Sequence, residues 1–166
     1  MLTFIAWGVA APKGSAKGFA VPVKGKPGKF RAVVTHDNPR TKGWQQTIAE
    51  AAGRALDGAG SAWTVGEWPV RLLVVFYLAR PKSLGRRVAH HTTKPDLDKL
   101  TRSVGDALTG VMWNDDSQVV DLQVRKRYAP PDTAPHAVIT VQRAPALDTL
   151  VATRTQNSEL RRGQGK

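Results

Sequence analysis

The segment Val70–Leu78 constrains the fold more than any other part of the chain. It is the longest apolar stretch, and only Arg71 interrupts it. Its length suits a strand, because a helix crossing a bilayer needs roughly 20 apolar residues. Other elements have to cover this strand, since an exposed run of Leu, Val, Phe and Tyr would be costly in water. The sequence therefore predicts a domain built on a sheet with a buried strand.

The composition fits one compact domain. A chain of 166 residues with 41% hydrophobic content is long enough to bury a single core. The absence of cysteine excludes disulfides, thiolate zinc sites and cysteine nucleophiles. The N-terminal segment lacks the basic start of a secretory signal, so we interpret it as a first strand and expect a cytoplasmic protein.

Periodicity predicts an α/β (α+β) fold in which two main helices flank a mixed β-sheet. Apolar or small residues recur at helical spacing over 38–56 and over 96–109. We expect the domain to span residues 1–143, followed by a polar, flexible tail over 144–166. Short apolar or alternating runs predict strands at 2–9, 19–23, 30–35, 70–78, 119–128 and 136–141.

Charge indicates a nucleic-acid partner. The chain carries 25 Lys and Arg against 13 Asp and Glu, a net charge of +12. Such a surface attracts polyanions, and +12 exceeds what solubility requires of a small domain. An anionic membrane is a weaker alternative, because no basic amphipathic helix is visible. The cations that we expect to contact DNA are Lys13, Lys17, Arg86, Arg87, Lys94 and Lys99.

The acids are concentrated in one place. Six of the 13 lie between residues 96 and 121, and all six are aspartates: Asp96, Asp98, Asp106, Asp115, Asp116 and Asp121. A DNA-cutting enzyme needs cations to hold phosphates and carboxylates to bind Mg²⁺ or Mn²⁺, which prefer oxygen ligands. Such a metal lowers the pKa of a bound water. This distribution is therefore typical of a metal-dependent nuclease.

The predicted elements allow several of these acids to converge. Asp96 and Asp98 begin the second helix, and the turn bearing Asp115 and Asp116 returns beside one end of it. Arg102 lies one helical turn after Asp98, where it can pair with that acid or reach a scissile phosphate.

Each feature also has a simpler interpretation. An Asp at a helix start is usually a cap, and an Asn-Asp-Asp run before a strand is usually a turn. Arg102 and Asp98 could form only an exposed ion pair. His90 and His91 fit a solvated loop better than a metal site. The five tryptophans fit the core or an interface better than base-stacking platforms: Trp7, Trp44, Trp63, Trp68 and Trp113.

One block of sequence resembles a known family. Asp-Leu-Asp-Lys-Leu starts at Asp96, Asp-Ala-Leu at Asp106, and Asp-Asp-Ser-Gln-Val-Val at Asp115. These motifs, with the loop 12–15 and the helix entry 41–44, are similar to those of the RusA family of Holliday-junction resolvases. The resemblance covers roughly residues 2–143. It implies a Mg²⁺- or Mn²⁺-dependent endonuclease that cuts four-way DNA junctions in recombination, repair or phage DNA processing.

The resemblance also implies roles for individual residues. The family's metal-binding acids correspond to Asp96, Asp98 and Asp116. Its catalytic basic residue, usually lysine, corresponds to Arg102, and its common asparagine corresponds to Lys99. Arginine keeps the positive charge but does not readily transfer a proton. Asp106 and Asp115 are further candidates.

Two further expectations follow from the resemblance. It implies a homodimer, since a four-way junction has approximate two-fold symmetry. Two alternatives stay open: a basic nucleic-acid-binding protein without catalysis, and a junction-binding protein that has lost cleavage through the change from lysine to arginine.

Overall fold

The computed structural model describes residues 1–14, 16–36, 38–60, 63–85 and 87–145. Arg86, the side chain of Lys17 and nearly all of the predicted tail lie outside these residues. In chain order the elements are β1 (Leu2–Trp7), β2 (Ala16–Pro22), β3 (Phe30–His36), α1 (Arg40–Ala59), β4 (Val70–Leu78), α2 (Leu97–Leu108), β5 (Val119–Tyr128) and β6 (His136–Arg143).

The main sheet is mixed, as the sequence predicts. Its strand order is β1-β6-β4-β5, and β2 and β3 form a separate antiparallel hairpin. The apolar strand β4 lies inside the sheet, parallel to β5 and antiparallel to β6. A parallel pair needs a crossover, and α2 provides it between β4 and β5. The turn after β5 leads to β6, which lies next to β4 on the side away from β5.

Both helices pack on one face of the sheet. Alternate residues of β4, including Leu72 and Phe76, are buried there against Ile48 of α1 and Leu100 of α2. The alternation follows from the strand period of two, and the helix contacts follow from apolar residues three and four apart. The result is one core between the helices and the sheet. None of the described helices is long and apolar enough to span a membrane.

The tryptophans divide between core and surface. Trp44, Trp63 and Trp113 are buried, which agrees with the prediction that they belong to the core. Trp68 is partly buried against the core, and its ring lies under the guanidinium of Arg143. Trp7 differs from the others, because 55% of it is exposed at the end of β1.

Candidate active site

One exposed face of α2 carries the polar residues of interest. Asp98, Arg102, Gly105 and Thr109 follow one another at spacings of four, three and four residues, so they align along the helix. The opposite face of the helix is apolar and buried. Asp98 Oδ2 lies 3.7 Å from Arg102 Nη2, and both side chains are more than half exposed. Such a pair adds little stability, which leaves both groups available to a ligand.

Asp116 lies against this face of α2. It begins a short 3-10 turn, Asp116–Gln118, immediately before β5. Its Oδ1 accepts hydrogen bonds from Thr109 Oγ1 at 2.5 Å and from Trp113 Nε1 at 3.0 Å. Trp113 is fully buried, so one of the two donors is fixed by the core. The carboxylate is therefore oriented before any ligand arrives.

Gly105 makes room for that carboxylate. A Cβ atom at residue 105 would lie 3.2 Å from Asp116 Oδ2, closer than an ordinary van der Waals contact. Gly105, Thr101, Arg102 and Asp116 also line one open pocket of about 250 Å³, whose other walls are apolar. Asp116 and Arg102 therefore line the same pocket.

Asp96 lies apart from this pocket. Its Oδ2 is 3.3 Å from Lys99 Nζ, and both residues line a larger cavity of about 470 Å³ together with Arg40 and Lys94. Asp96 precedes the first residue of α2 with an extended backbone, and its side chain makes no capping hydrogen bond. Within the described ranges, no three His, Cys, Asp or Glu side chains come close enough to hold a metal ion.

The donor chemistry of the α2 face nevertheless fits a hard divalent cation. Carboxylate oxygens are the ligands that Mg²⁺ and Mn²⁺ prefer, and here Asp116 is held by two hydrogen bonds of the kind that orient metal ligands. Asp98 adds a second, solvent-accessible carboxylate on the same face. Two of the three acids expected from the sequence therefore lie on one side of α2.

Asp106 has a partner inside the protein. Its Oδ2 is 2.7 Å from Lys13 Nζ and accepts a hydrogen bond from Gln45 Nε2 at 3.1 Å. The backbone N–H of Lys13 also donates to Lys99 O at 2.9 Å. These contacts tie the loop after β1 to both helices, so the ammonium of Lys13 already has an anionic partner.

Asp115 behaves as the turn residue that its sequence context suggests. Its Oδ1 accepts a hydrogen bond from the backbone N–H of Ser117 at 2.8 Å, and hydrogen bonding by the side chain of Ser117, followed by that of its backbone, lowers the pKa of the exposed carboxyl. Adjacent acids thus have different surroundings, since Asp115 caps the turn and Asp116 faces α2.

The loop histidines and the remaining cations surround these elements at the surface. The pKa of His91 is lowered by burial and by the positive charge of Lys126, which favours a neutral ring at neutral pH. Arg87 and Lys94 are exposed, whereas Lys99 is half-buried beside Asp96.

Sequence reasoning missed the three residues that position Asp116. These are Gly105, Thr109 and Trp113. One signal was available, because a glycine in the middle of a helix costs about 1 kcal/mol relative to alanine and often marks a close approach.

A basic α/β domain with a carboxylate and an arginine in one surface pocket has features of a nuclease. Comparison with known proteins gives the particular family: residues 20–142 match the model described as Endodeoxyribonuclease RusA, and the chain belongs to this family. Membership indicates endodeoxyribonuclease activity and confirms the resemblance found in the sequence. The chain is also 33% identical over 119 residues to the "Uncharacterized protein YqaN" of Bacillus subtilis (strain 168), across 64% of this chain and 80% of that protein.

Proposed function

We propose that this protein is a metal-dependent, structure-selective endodeoxyribonuclease that resolves four-way DNA junctions by paired phosphodiester cleavage. Its setting would be recombination, repair or phage DNA processing. The observation that carries the proposal is the pocket on α2, where Asp116 is held against Gly105 and shares the space with Arg102. Family membership supports DNA as the substrate.

In this proposal Asp98 and Asp116 hold Mg²⁺ or Mn²⁺, and Asp96, whose carboxylate pairs with Lys99 outside the Asp116 pocket, is proposed as a third ligand. The bound metal would supply an acidified water and would offset negative charge on the phosphate. Thr109 and Trp113 keep the carboxylate of Asp116 in position through its Oδ1. Arg102 offers a fixed positive charge to the phosphoryl oxygens without transferring a proton.

The proposal includes a homodimer. A two-fold dimer offers two equivalent centres to two opposed strands of a junction, which has approximate two-fold symmetry. Paired cuts then follow from geometry, because each centre meets one strand.

A labelled four-way junction tests the proposal and its alternatives together. We expect cleavage with Mg²⁺ or Mn²⁺ and none with a chelator, while a linear duplex of equal length stays intact. Selective junction binding without cleavage in either metal would identify a protein that has lost activity. Equal binding of junction and duplex, again without cleavage, would identify a general basic DNA-binding protein.

Junction binding should weaken steeply with salt. The net charge of +12 predicts many phosphate contacts, and each releases counterions. With six or more such contacts, affinity should fall by roughly a thousandfold or more between 50 and 200 mM salt. Gel-shift titrations in Ca²⁺ at several salt concentrations measure the slope, and an affinity that does not change with salt would contradict phosphate-based docking.

Replacing Gly105 with alanine should impair cleavage through Asp116. The added Cβ would lie 3.2 Å from Asp116 Oδ2, so the carboxylate has to shift by a few tenths of an ångström. We expect at least a tenfold lower single-turnover rate, in keeping with the sensitivity of catalysis to small misplacements.

Gly53→Ala is the matched control for Gly105→Ala. Gly53 lies within α1, and an added Cβ there meets nothing within 4 Å. It should stabilise the fold by about 1 kcal/mol and leave cleavage unchanged. Equal cleavage rates for the two variants would show that cleavage does not depend on the absence of a side chain at Gly105.

A further inference from the structure

The sheet face opposite the helices presents side chains to solvent. Because residues alternate along a strand, Val75 and Tyr77 of β4 lie on this face, and both are only half-buried. On β1 the same face carries Ile5 and Trp7, which are 41% and 55% exposed. The helices bury their apolar residues against the other face. This surface, called the open sheet face below, has no part in the pocket on α2.

A row of rings crosses the open sheet face at one end. Strand register sets Trp7 opposite His136, and His136 opposite Tyr77. The His136 ring lies 4.7 Å from the Trp7 ring and 4.6 Å from the Tyr77 ring, between centroids, and it stacks on Tyr77 at 19°. His136 Nδ1 lies 2.9 Å from Ala134 O, within hydrogen-bond distance. Trp7 is thereby supported on one side while more than half of it stays open to solvent.

Positive charge extends this row. Arg127 of β5 is in register with Tyr77, and Arg125 is in register with Val75, so both arginines belong to the open sheet face. Both are exposed. The acid of β5 on this face, Asp121, lies toward the other end of the strand and pairs with Arg71. The aromatic end of the face is therefore also its cationic end.

We propose that the open sheet face binds single-stranded DNA, with a base stacked on Trp7 and the backbone running past Arg125 and Arg127. An exposed aromatic ring on the same surface as arginines can bind unpaired bases with little sequence preference, since every base has a π face. The inference rests on the proposed function in one respect: an opened junction is the source of the unpaired bases. A second copy fits this face less well, because docking it there would bury the exposed charges of Arg125 and Arg127.

Binding of a labelled 15-nucleotide oligothymidine to the full chain tests this inference. Base–aromatic stacking contributes enough that Trp7→Ala should weaken this binding by about five- to 150-fold. Trp7→Phe keeps a ring and should retain most of the affinity. Phe30→Ala removes an aromatic residue that is 64% exposed on the β2–β3 hairpin, and it should change nothing.

A second pair of variants separates local from general charge. Arg127→Ala should weaken oligothymidine binding more than Arg54→Ala, which removes the same charge from an exposed position of α1. Equal losses for the two arginine variants would point to general charge and overturn the proposed path of the backbone.

Three results would overturn the inference as a whole: no oligothymidine binding by the wild type, unchanged binding by Trp7→Ala, or conversion of a dimer to monomer by Trp7→Ala in light scattering. The last result would assign the face to a second copy.

Cleavage of a four-way junction, measured on the same samples, keeps the two proposals separate. If the wild type cuts junctions and Trp7→Ala binds oligothymidine normally, only the proposed role of the open sheet face is refuted. If the wild type binds oligothymidine through Trp7 but does not cut junctions, only the nuclease proposal is refuted.

Discussion

Asp116→Asn should reduce the rate of junction cleavage by at least about a hundredfold, which is the usual cost of losing one preorganised catalytic interaction. Junction affinity should stay close to that of the wild type. The asparagine oxygen can still accept the hydrogen bonds from Thr109 and Trp113, so the local fold should survive. The change removes a negative charge that attracts metal and repels phosphate. Gel shifts and single-turnover cleavage on the same samples separate the two effects.

Asp115→Asn is the matched control, because it makes the same change at the neighbouring residue. The exposed Asp115 carboxylate caps the 3-10 turn, and asparagine is an equally good capping residue. We therefore expect nearly normal cleavage from Asp115→Asn. If this variant loses cleavage and Asp116→Asn keeps it, the metal-binding role belongs to Asp115.

Asp98→Asn and Asp96→Asn should also abolish cleavage and spare junction binding. Full cleavage activity of either variant would remove that residue from the mechanism.

Arg102→Ala should lower the single-turnover rate by about a hundredfold, the lower end of the range for losing one preorganised donor, since metal ions share the task. Arg102→Lys should keep substantial activity, because a role in charge stabilisation needs a cation and not a guanidinium. Arg102 is suited to this role by its place in the pocket with Asp116 and by its exposure beside Asp98.

Lys99→Ala serves as the comparison for Arg102→Ala. It removes the same charge three residues earlier, from a cation that pairs with Asp96 outside the Asp116 pocket. A smaller loss than that of Arg102→Ala is expected. A near-normal rate for Arg102→Ala, with a severe loss for Lys99→Ala, would transfer the phosphate-stabilising role to Lys99.

Local patterns in the sequence were enough to predict the elements of this fold. The limits of β4 follow from one apolar run, and those of α2 follow from its apolar stripe and the glycine that comes soon after it. The strand order could not be predicted, because hydrophobic alternation fixes which face a residue joins and not which strand lies beside it. The insertion of β6 between β1 and β4 is a property of the whole chain.

The sequence supplies candidate acids for the site but does not predict their arrangement. Spacing alone placed Asp98 and Arg102 on one helix face, and the structure agrees. Asp96 precedes α2 with an extended backbone and pairs with Lys99, whereas Asp98 lies in the first turn of the helix beside Arg102, so neighbouring acids in the sequence need not share a ligand. The partners of Asp106 were not predictable, since Lys13 and Gln45 reach it from distant parts of the chain.

A four-way junction with different dyes on two opposed strands gives the most direct test of paired, metal-dependent cleavage. With Mg²⁺, we expect the wild type to cut both strands at symmetric positions, and a chelator or Asp116→Asn should prevent both cuts. Stable junction binding with neither strand cut in Mg²⁺ or Mn²⁺ would contradict metal-dependent resolution, as would cleavage that persists in the chelator.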